Sequence, residues 1–320
     1  TKHDRKGIAV DAQVGRLIEM LNAVRGDGAP QLWQLSPAAA RRSTATMFAL
    51  LNEGGPRMAE TRTIEIPGRH GKVPARLYVP EGAGRVSSGL LYLHGGGWVI
   101  GSPDTHDRLA RELAAGIGAR VVSLEYGLAP ERPFPHGLDD CVDAAAWLVA
   151  KGRRLGIDTA RLLIGGDSAG ANLAAATLLK RRDEGGRPWL GAVYIYGAFS
   201  VDCATPSVDA WGDRDLILSR KEMQWFRDQY LGTDGSADDP YVSPIRGDLR
   251  GLPPAMLVVG TLDPLLSDSE LFADALQRGG VKAELHVFQD APHAFVQMFM
   301  LTMAADAIAR ISTFARSLVG

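Results

Sequence analysis

The stretch RLLIGGDSAGANLAAATLLKR (161–181) joins an apolar run, a glycine-rich turn and a segment rich in helix-forming residues. Within it, Gly166 to Gly170 match the pattern GxSxG, with Ser168 at the centre. Between a strand and a helix this pattern lifts the serine hydroxyl clear of a sheet, because only glycine on either side leaves room for so sharp a turn. Ser168 is therefore a candidate nucleophile, although serine in such a turn is also a common helix cap.

Short apolar runs and helical segments alternate on both sides of this stretch. Continuous apolar strands separated by helices indicate a mostly parallel central sheet with helices on both faces, which is the α/β class. The predicted strands are 89–94, 120–126, 161–166, 191–197, 255–260 and 283–288. Ahead of them, TIEI and ARLYV alternate around a turn at 68–71, which predicts an antiparallel hairpin.

Two segments lie outside this alternation. Residues 8–52 have apolar positions at helical spacing, with a helix start at Ser36 and Pro37, and they precede every predicted strand. Residues 1–55 are therefore interpreted as an N-terminal helical cap segment and 56–320 as the main domain, with a cap-contributing insertion at about 200–240. The aromatic residues of these segments are predicted to pack in the core or in a lid: Trp33, Trp211, Trp225 and Phe226.

A second strand end carries the sequence HGGG at 94–97. Three consecutive glycines expose backbone N–H groups with no side chains in the way, and such donors are what a developing negative oxygen requires. His94 ends a buried strand, so we expect it to hydrogen-bond the loop rather than to act as a base.

Two further strand ends carry an aspartate and a histidine, Asp263 and His293. A serine hydroxyl is a weak nucleophile at neutral pH, so it needs a histidine to take its proton and a carboxylate to orient that histidine. The chain order Ser168, Asp263, His293 is that of α/β-hydrolases and differs from those of chymotrypsin and subtilisin. Asp290 is a rival acid, but it lies on the same loop as His293 and is expected to brace it.

Composition narrows the class of partner. The chain has 35 basic and 37 acidic residues, a net charge of −2 with histidines neutral, so no overall field favours nucleic acid or an anionic membrane. No apolar run reaches the roughly 18 residues of a membrane span.

Cys141 and Cys203 show no metal-binding spacing and are expected to be reduced, and no metal site is predicted. The charged, amphipathic first 21 residues lack the pattern of a secretory signal, which predicts a cytoplasmic location.

In combination, five sequence blocks resemble those of the hormone-sensitive-lipase-like carboxylesterases, the bacterial family IV esterases of the α/β-hydrolase fold. The blocks are HGGGWVIGSPDTHD (94–107), EYGLAPERPFPHGLDDC (125–141), GDSAGANLAAA (166–176), GTLDPLLSDS (260–269) and DAPHAF (290–295). The resemblance, which runs from about residue 64 to the end of the chain, implies hydrolysis of short- to medium-chain carboxylic esters, no cofactor, and a helical cap over the site.

Carried over by position, the resemblance implies Ser168 as nucleophile, His293 as base and Asp263 as acid. It also implies an oxyanion hole made by the N–H groups of three residues, Gly95, Gly96 and Ala169. Trp98 and Asp167, which adjoin the glycine loop and the serine, are predicted to bind substrate. The chain departs from the family pattern at Ala171 and Ala294, where glycine is common.

Two other functions remain open on the sequence alone. An arylformamidase-like amide hydrolase would use the same three residues with a similar glycine loop. A non-catalytic small-molecule receptor on this scaffold is expected to lack a working base, whereas His293 is present. In addition, an exposed last strand at 283–288 offers an edge for pairing in a homodimer.

Overall fold

A central eight-stranded sheet organises the computed structural model, which describes residues 2–3, 9–26, 28–214, 216–233 and 235–320. Its strands are β3 (Met58–Gly68), β4 (Gly71–Pro80), β5 (Ser87–Leu93), β6 (Arg120–Leu124), β7 (Ile157–Asp167), β8 (Gly191–Ile195), β9 (Ala255–Leu262) and β10 (Ala283–Pro292). They lie in the order β10-β9-β8-β7-β5-β6-β4-β3. β4 is antiparallel to both of its neighbours and the other pairs are parallel, so the predicted fold class is confirmed.

Nine helices accompany the sheet in the described ranges. They are α1 (Ala12–Arg25), α2 (Pro37–Leu51), α3 (Asp107–Ile117), α4 (His136–Lys151), α5 (Ala169–Asp183), α6 (Pro206–Trp211), α7 (Arg220–Leu231), α8 (Leu266–Arg278) and α9 (Thr302–Val319). One apolar core lies between the sheet and the helices α4, α5 and α8, and a second lies on the opposite face under α1, α3 and α9. Both faces are thus covered, which explains why the parallel strands are apolar throughout.

The chain changes direction in the sheet next to β5. After β6 has added to one edge of β5, the chain returns to the other edge of β5 with β7 and then proceeds outward through β8, β9 and β10. Ligands of open α/β sheets bind beyond the carboxyl ends of the strands at such a switch point. The loops after β5 and β7 meet there, and they are the ones that contain HGGG and GDSAG.

The N-terminal region differs from the prediction in one respect. Two two-residue strands, β1 (Lys2–His3) and β2 (Ala9–Val10), pair antiparallel ahead of α1, so the expectation that helices precede every strand is wrong. The start of the predicted helical region at residue 8 lies outside the described residues. The predicted start of α2 is confirmed, because Ser36 Oγ accepts a hydrogen bond from the Ala39 amide ahead of a helix that begins at Pro37.

Both cysteines are free thiols: Cys141 is buried in the core and Cys203 is partly buried. None of the helices in the described ranges is long and apolar enough to cross a bilayer.

Candidate active site

Ser168 occupies a strained turn between β7 and α5. Its backbone has φ 53° and ψ −120°, a conformation that residues with a side chain rarely adopt. Gly170 is required here, since a Cβ at this position would lie 2.0 Å from the carbonyl oxygen of Leu93. The amide of Ser168 donates to the Ile195 carbonyl at 2.8 Å. The turn is therefore fixed against both neighbouring strands, with the hydroxyl at the carboxyl edge of the sheet.

The structure brings Ser168, His293 and Asp263 together from loops after three different strands. His293 Nε2 lies 3.1 Å from Ser168 Oγ, and His293 Nδ1 lies 2.8 Å from Asp263 Oδ2. A carboxylate only accepts hydrogen bonds, so Nδ1 bears the proton and Nε2 is free to accept the serine hydroxyl. The arrangement can therefore draw a proton from the serine.

The carboxylate of Asp263 is completely shielded from solvent, with 0% exposure, and its Oδ1 accepts the Leu265 amide at 2.8 Å. Asp290, the rival acid, is engaged elsewhere. Its Oδ1 accepts from Gln289 Nε2 at 2.9 Å, and its amide donates to Thr261 Oγ1 at 2.8 Å. Asp263 is thus the carboxylate that the fold presents to His293.

The loop after β5 differs from the predicted oxyanion hole at one residue. The amide of Gly95 donates to Asp167 Oδ1 at 2.9 Å, so this donor is already used inside the protein. Gly96, Gly97 and Ala169 border the cavity in front of Ser168, and in the described part of the chain their amides have no other acceptor. A Cβ on Gly97 would lie 2.1 Å from the Phe226 ring, so the ring of α7 rests directly on this glycine.

Asp167 is the centre of a buried hydrogen-bond network below this loop. Its Oδ1 accepts from Tyr92 Oη at 2.5 Å and from the Gly95 amide, while its Oδ2 accepts from Gln297 Nε2 at 2.9 Å and faces His106 Nε2 at 3.2 Å. Both carboxylate oxygens are therefore saturated, and no lone pair is left for the predicted contact with substrate. Burial acts to raise the pKa of Asp167, but His106 and the hydrogen bonds outweigh it and lower the pKa.

His94 supports the same loop, as expected from the sequence. Its Nδ1 bonds the Gly95 carbonyl at 2.8 Å, and its own carbonyl accepts from Tyr126 Oη at 2.7 Å. Burial, together with the neighbouring His106, lowers the pKa of His94 to about 3. The imidazole is therefore neutral at physiological pH and acts as a fixed donor to the loop.

A mostly apolar cavity of about 570 Å³ opens in front of Ser168. Its walls come from α1, the segment between α1 and α2, α2 itself, the glycine loop, the loop after β8, and α7. Trp98 borders the cavity, yet it is only 5% exposed, because its ring stacks on Tyr230 of α7 with centroids 4.3 Å apart. Of the four aromatic residues predicted to pack in the core or a lid, Phe226 lines the cavity.

Several residues of the site were not identified from the sequence. Tyr92 and Gln297 support the glycine loop through Asp167. A buried residue, Asp268, holds the loop after β8 by accepting from the Phe199 amide at 2.6 Å. Burial raises the pKa of Asp268 to about 7. Asp268 lies in the first turn of the helix that follows Asp263, and an acidic residue at that position is the sequence signal that could have identified it.

The described residues contain no group of three or more His, Cys, Asp or Glu side chains that could hold a metal ion.

Known proteins resemble this chain in sequence and in fold. A family model for the alpha/beta hydrolase fold matches residues 90–297. The ethyl acetate hydrolase of Pseudomonas putida is 37% identical over 239 residues, which cover 73% of this chain and 74% of that protein. The carboxylic ester hydrolase LipN of Mycobacterium tuberculosis is 34% identical over 255 residues, which cover 77% of this chain and 67% of that protein.

A hyperthermophilic esterase from the archaeon Pyrobaculum calidifontis superposes with a TM-score of 0.90 at 33% identity, covering 98% of this chain and 100% of that structure. The chain thus belongs to the α/β-hydrolase family, among the hormone-sensitive-lipase-like esterases that its motifs resemble.

Proposed function

We propose that this protein is a serine carboxylesterase that hydrolyses short- to medium-chain carboxylic esters through an acyl-enzyme. The observation that carries the proposal is the continuous hydrogen-bonded line from Ser168 through His293 to the buried Asp263. The Ser168 end of this line borders an apolar cavity, beside amides that have no acceptor of their own in the described residues. The names of the ethyl acetate hydrolase and of LipN support carboxylic esters as the substrate class.

In the first step Ser168 Oγ attacks the ester carbonyl carbon while His293 Nε2 takes the hydroxyl proton. The tetrahedral intermediate collapses, the bond to the alcohol oxygen breaks, and His293 returns the proton to the departing alcohol. In the second step a water molecule attacks the acyl-serine with His293 again as the base. The acid leaves and Ser168 recovers its proton.

The negative oxygen of each tetrahedral intermediate is assigned to the amides of Gly96, Gly97 and Ala169. This assignment replaces Gly95 of the predicted set, since the Gly95 amide donates to Asp167. Asp167 is accordingly proposed as a positioning residue that fixes the glycine loop, and Trp98 as part of the cavity wall. Loss of one such oxyanion donor typically lowers turnover by about 10²–10³-fold.

The test is the substitution Ser168→Ala, assayed with p-nitrophenyl butyrate. We expect hydrolysis to fall to the background rate and labelling by a fluorophosphonate to disappear, because the hydroxyl that faces His293 Nε2 is that of Ser168. Ser317→Ala, which removes a hydroxyl bonded within α9, is the matched control and should keep the wild-type rate. A Ser168→Ala protein that hydrolyses the ester at the wild-type rate would refute the proposal.

Two measurements on the wild type address the two alternatives. An arylformamidase-like enzyme would cleave an aryl formamide faster than an aryl ester of matched size, and a receptor would resist fluorophosphonate labelling. We favour the esterase because the relatives compared above bear the names of ester hydrolases. The division into a cap (1–55 and about 200–240) and a catalytic domain (56–320), the homodimer and the cytoplasmic location stay predictions.

A further inference from the structure

Glu222 is a carboxylate in the cavity wall with one oxygen unused. It lies in the first turn of α7, where its Oε2 accepts from both the amide and the hydroxyl of Ser219, each at 2.8 Å. Ser219 Oγ in turn accepts the Glu222 amide at 3.2 Å, which completes a capping box. In the described part of the chain Oε1 accepts from no group, and the side chain borders the cavity.

The surroundings of this carboxylate are largely apolar. Leu218, Met223 and Phe226 border the same part of the cavity. Burial raises the pKa of Glu222, while its hydrogen bonds to Ser219 and the electrostatic attraction of Arg25 and His293 act to lower it. A carboxylate that has lost water without gaining a full set of donors gains more from a new donor than an exposed one would.

The two arginines that border the cavity bond to groups other than Glu222. Arg25 donates to side-chain amide oxygens, including Gln31 Oε1 at 2.9 Å. Arg227 donates to Asp228 through Nε and Nη2 at 3.0 and 2.9 Å. Within the ranges that the structure describes, neither forms an ion pair with Glu222, so Oε1 stays available to a donor in the cavity.

A ligand that complements this wall combines an apolar body with one cationic donor. The ester carbonyl must reach Ser168, and Ser168, His293 and Glu222 line the same cavity. A protonated amine satisfies the open lone pairs of Oε1 with a charge-assisted hydrogen bond, which is stronger than a bond from a neutral donor. On the basis of the proposed function, we propose that Glu222 selects esters that carry a protonated amine on the acyl or the alcohol part.

The experiment compares each amine with a neutral ester of the same shape. On the alcohol side the pair is dimethylaminoethyl butyrate and isoamyl butyrate, in which CH replaces the protonated nitrogen. On the acyl side it is methyl dimethylaminobutanoate and the isostere with carbon in place of nitrogen. Hydrolysis of all four is followed by titration of the released acid at neutral pH, in the wild type and two variants.

Glu222→Gln retains the side-chain oxygen that caps α7 and removes the charge, whereas Ser219→Ala weakens the cap and retains the charge. We expect Glu222→Gln to lower the amine-to-isostere ratio of kcat/KM by about tenfold in at least one pair, as the loss of a charge-assisted bond predicts. Ser219→Ala should leave both ratios unchanged.

Two results would overturn the inference: both ratios unchanged in Glu222→Gln, or an equal change in Ser219→Ala, which would mean that the cap and not the charge matters. Using the ratio cancels any effect of Glu222 on the basicity of His293, since that effect is common to both members of a pair. The proposed function is tested separately by Ser168→Ala on the neutral isosteres. If those remain Ser168-dependent while the ratios do not respond, the esterase assignment stands and the role of Glu222 fails.

Discussion

Asp263 and Asp290 show how local geometry selects one of two candidate acids. Asp263→Asn should lower kcat by up to about 10⁴-fold, because an amide in place of Oδ2 no longer holds the proton of His293 on Nδ1. Steady-state kinetics with p-nitrophenyl butyrate provides the measurement. Asp290→Asn is the control and should stay close to the wild-type rate, since asparagine also tolerates the local φ of 57°. Equal losses in both variants would contradict the choice of Asp263.

Ala294 follows the histidine with a φ of 62°, in the left-handed region, where the resemblance leads one to expect glycine. Glycine adopts this conformation without the steric cost that a Cβ incurs, although it also makes the unfolded chain more flexible. Ala294→Gly is therefore expected to raise the free energy of unfolding by about 0.5–1 kcal/mol.

Denaturant unfolding of Ala294→Gly tests this expectation. Ala309→Gly, in the exposed middle of α9, is the matched control and should lower the free energy of unfolding by about 1 kcal/mol. If both variants are destabilised alike, the backbone at Ala294 is not strained.

The residue types of the site were predictable from the sequence, but the use of each amide was not. Ser168, Asp263 and His293 follow strand ends whose meeting point is dictated by a parallel sheet. Which of three consecutive glycines donates inward depends on the position of Asp167, a contact between residues 72 positions apart. Sequence adjacency to the serine suggested substrate contact for Asp167, whereas its burial directs both oxygens into the protein.

At the scale of elements, helices α2 and α7 both contribute to the cavity wall, and their side chains are expected to limit substrate length. Met223→Trp on α7 should lower kcat/KM for p-nitrophenyl octanoate relative to the acetate by about tenfold. One or two methylenes that no longer fit in an apolar pocket change kcat/KM by about this factor. Met20→Trp is the control, because Met20 lies on the outer side of α1 with 39% exposure. An unchanged ratio would show that α7 does not limit chain length.

The type of most elements could be predicted, and the deviations have physical causes. β10 was predicted over 283–288, where the apolar pattern stops, yet it continues to Pro292 through an irregular register after Phe288. This irregularity, with Asp290 at positive φ, brings the chain to His293 but erases the alternation on which the prediction depends. The N-terminal strands were missed because two residues are too few to show any period.

For the whole molecule, β10 forms an open edge of the sheet, on which Val287 is 44% exposed. An edge of this kind presents unpaired backbone groups to a second copy, so we expect a dimer of twice the chain mass by light scattering. Val287→Lys should shift the mass to that of one chain. Val86→Lys, which adds the same charge at an exposed site ahead of β5, should leave the dimer intact. A monomeric wild type would contradict the prediction.

Part of the cavity wall comes from segments of the chain other than those that carry the reacting groups. The serine, histidine and aspartate are held by the sheet, whereas α1 and α2 precede its first strand and α7 lies between β8 and β9. Laboratory recombination can exploit this layout: a chimera that takes residues 12–51 from another esterase would inherit a new substrate preference while retaining its turnover chemistry. In evolution, substitutions in the wall-forming helices can likewise diversify substrate preference without passing through inactive intermediates.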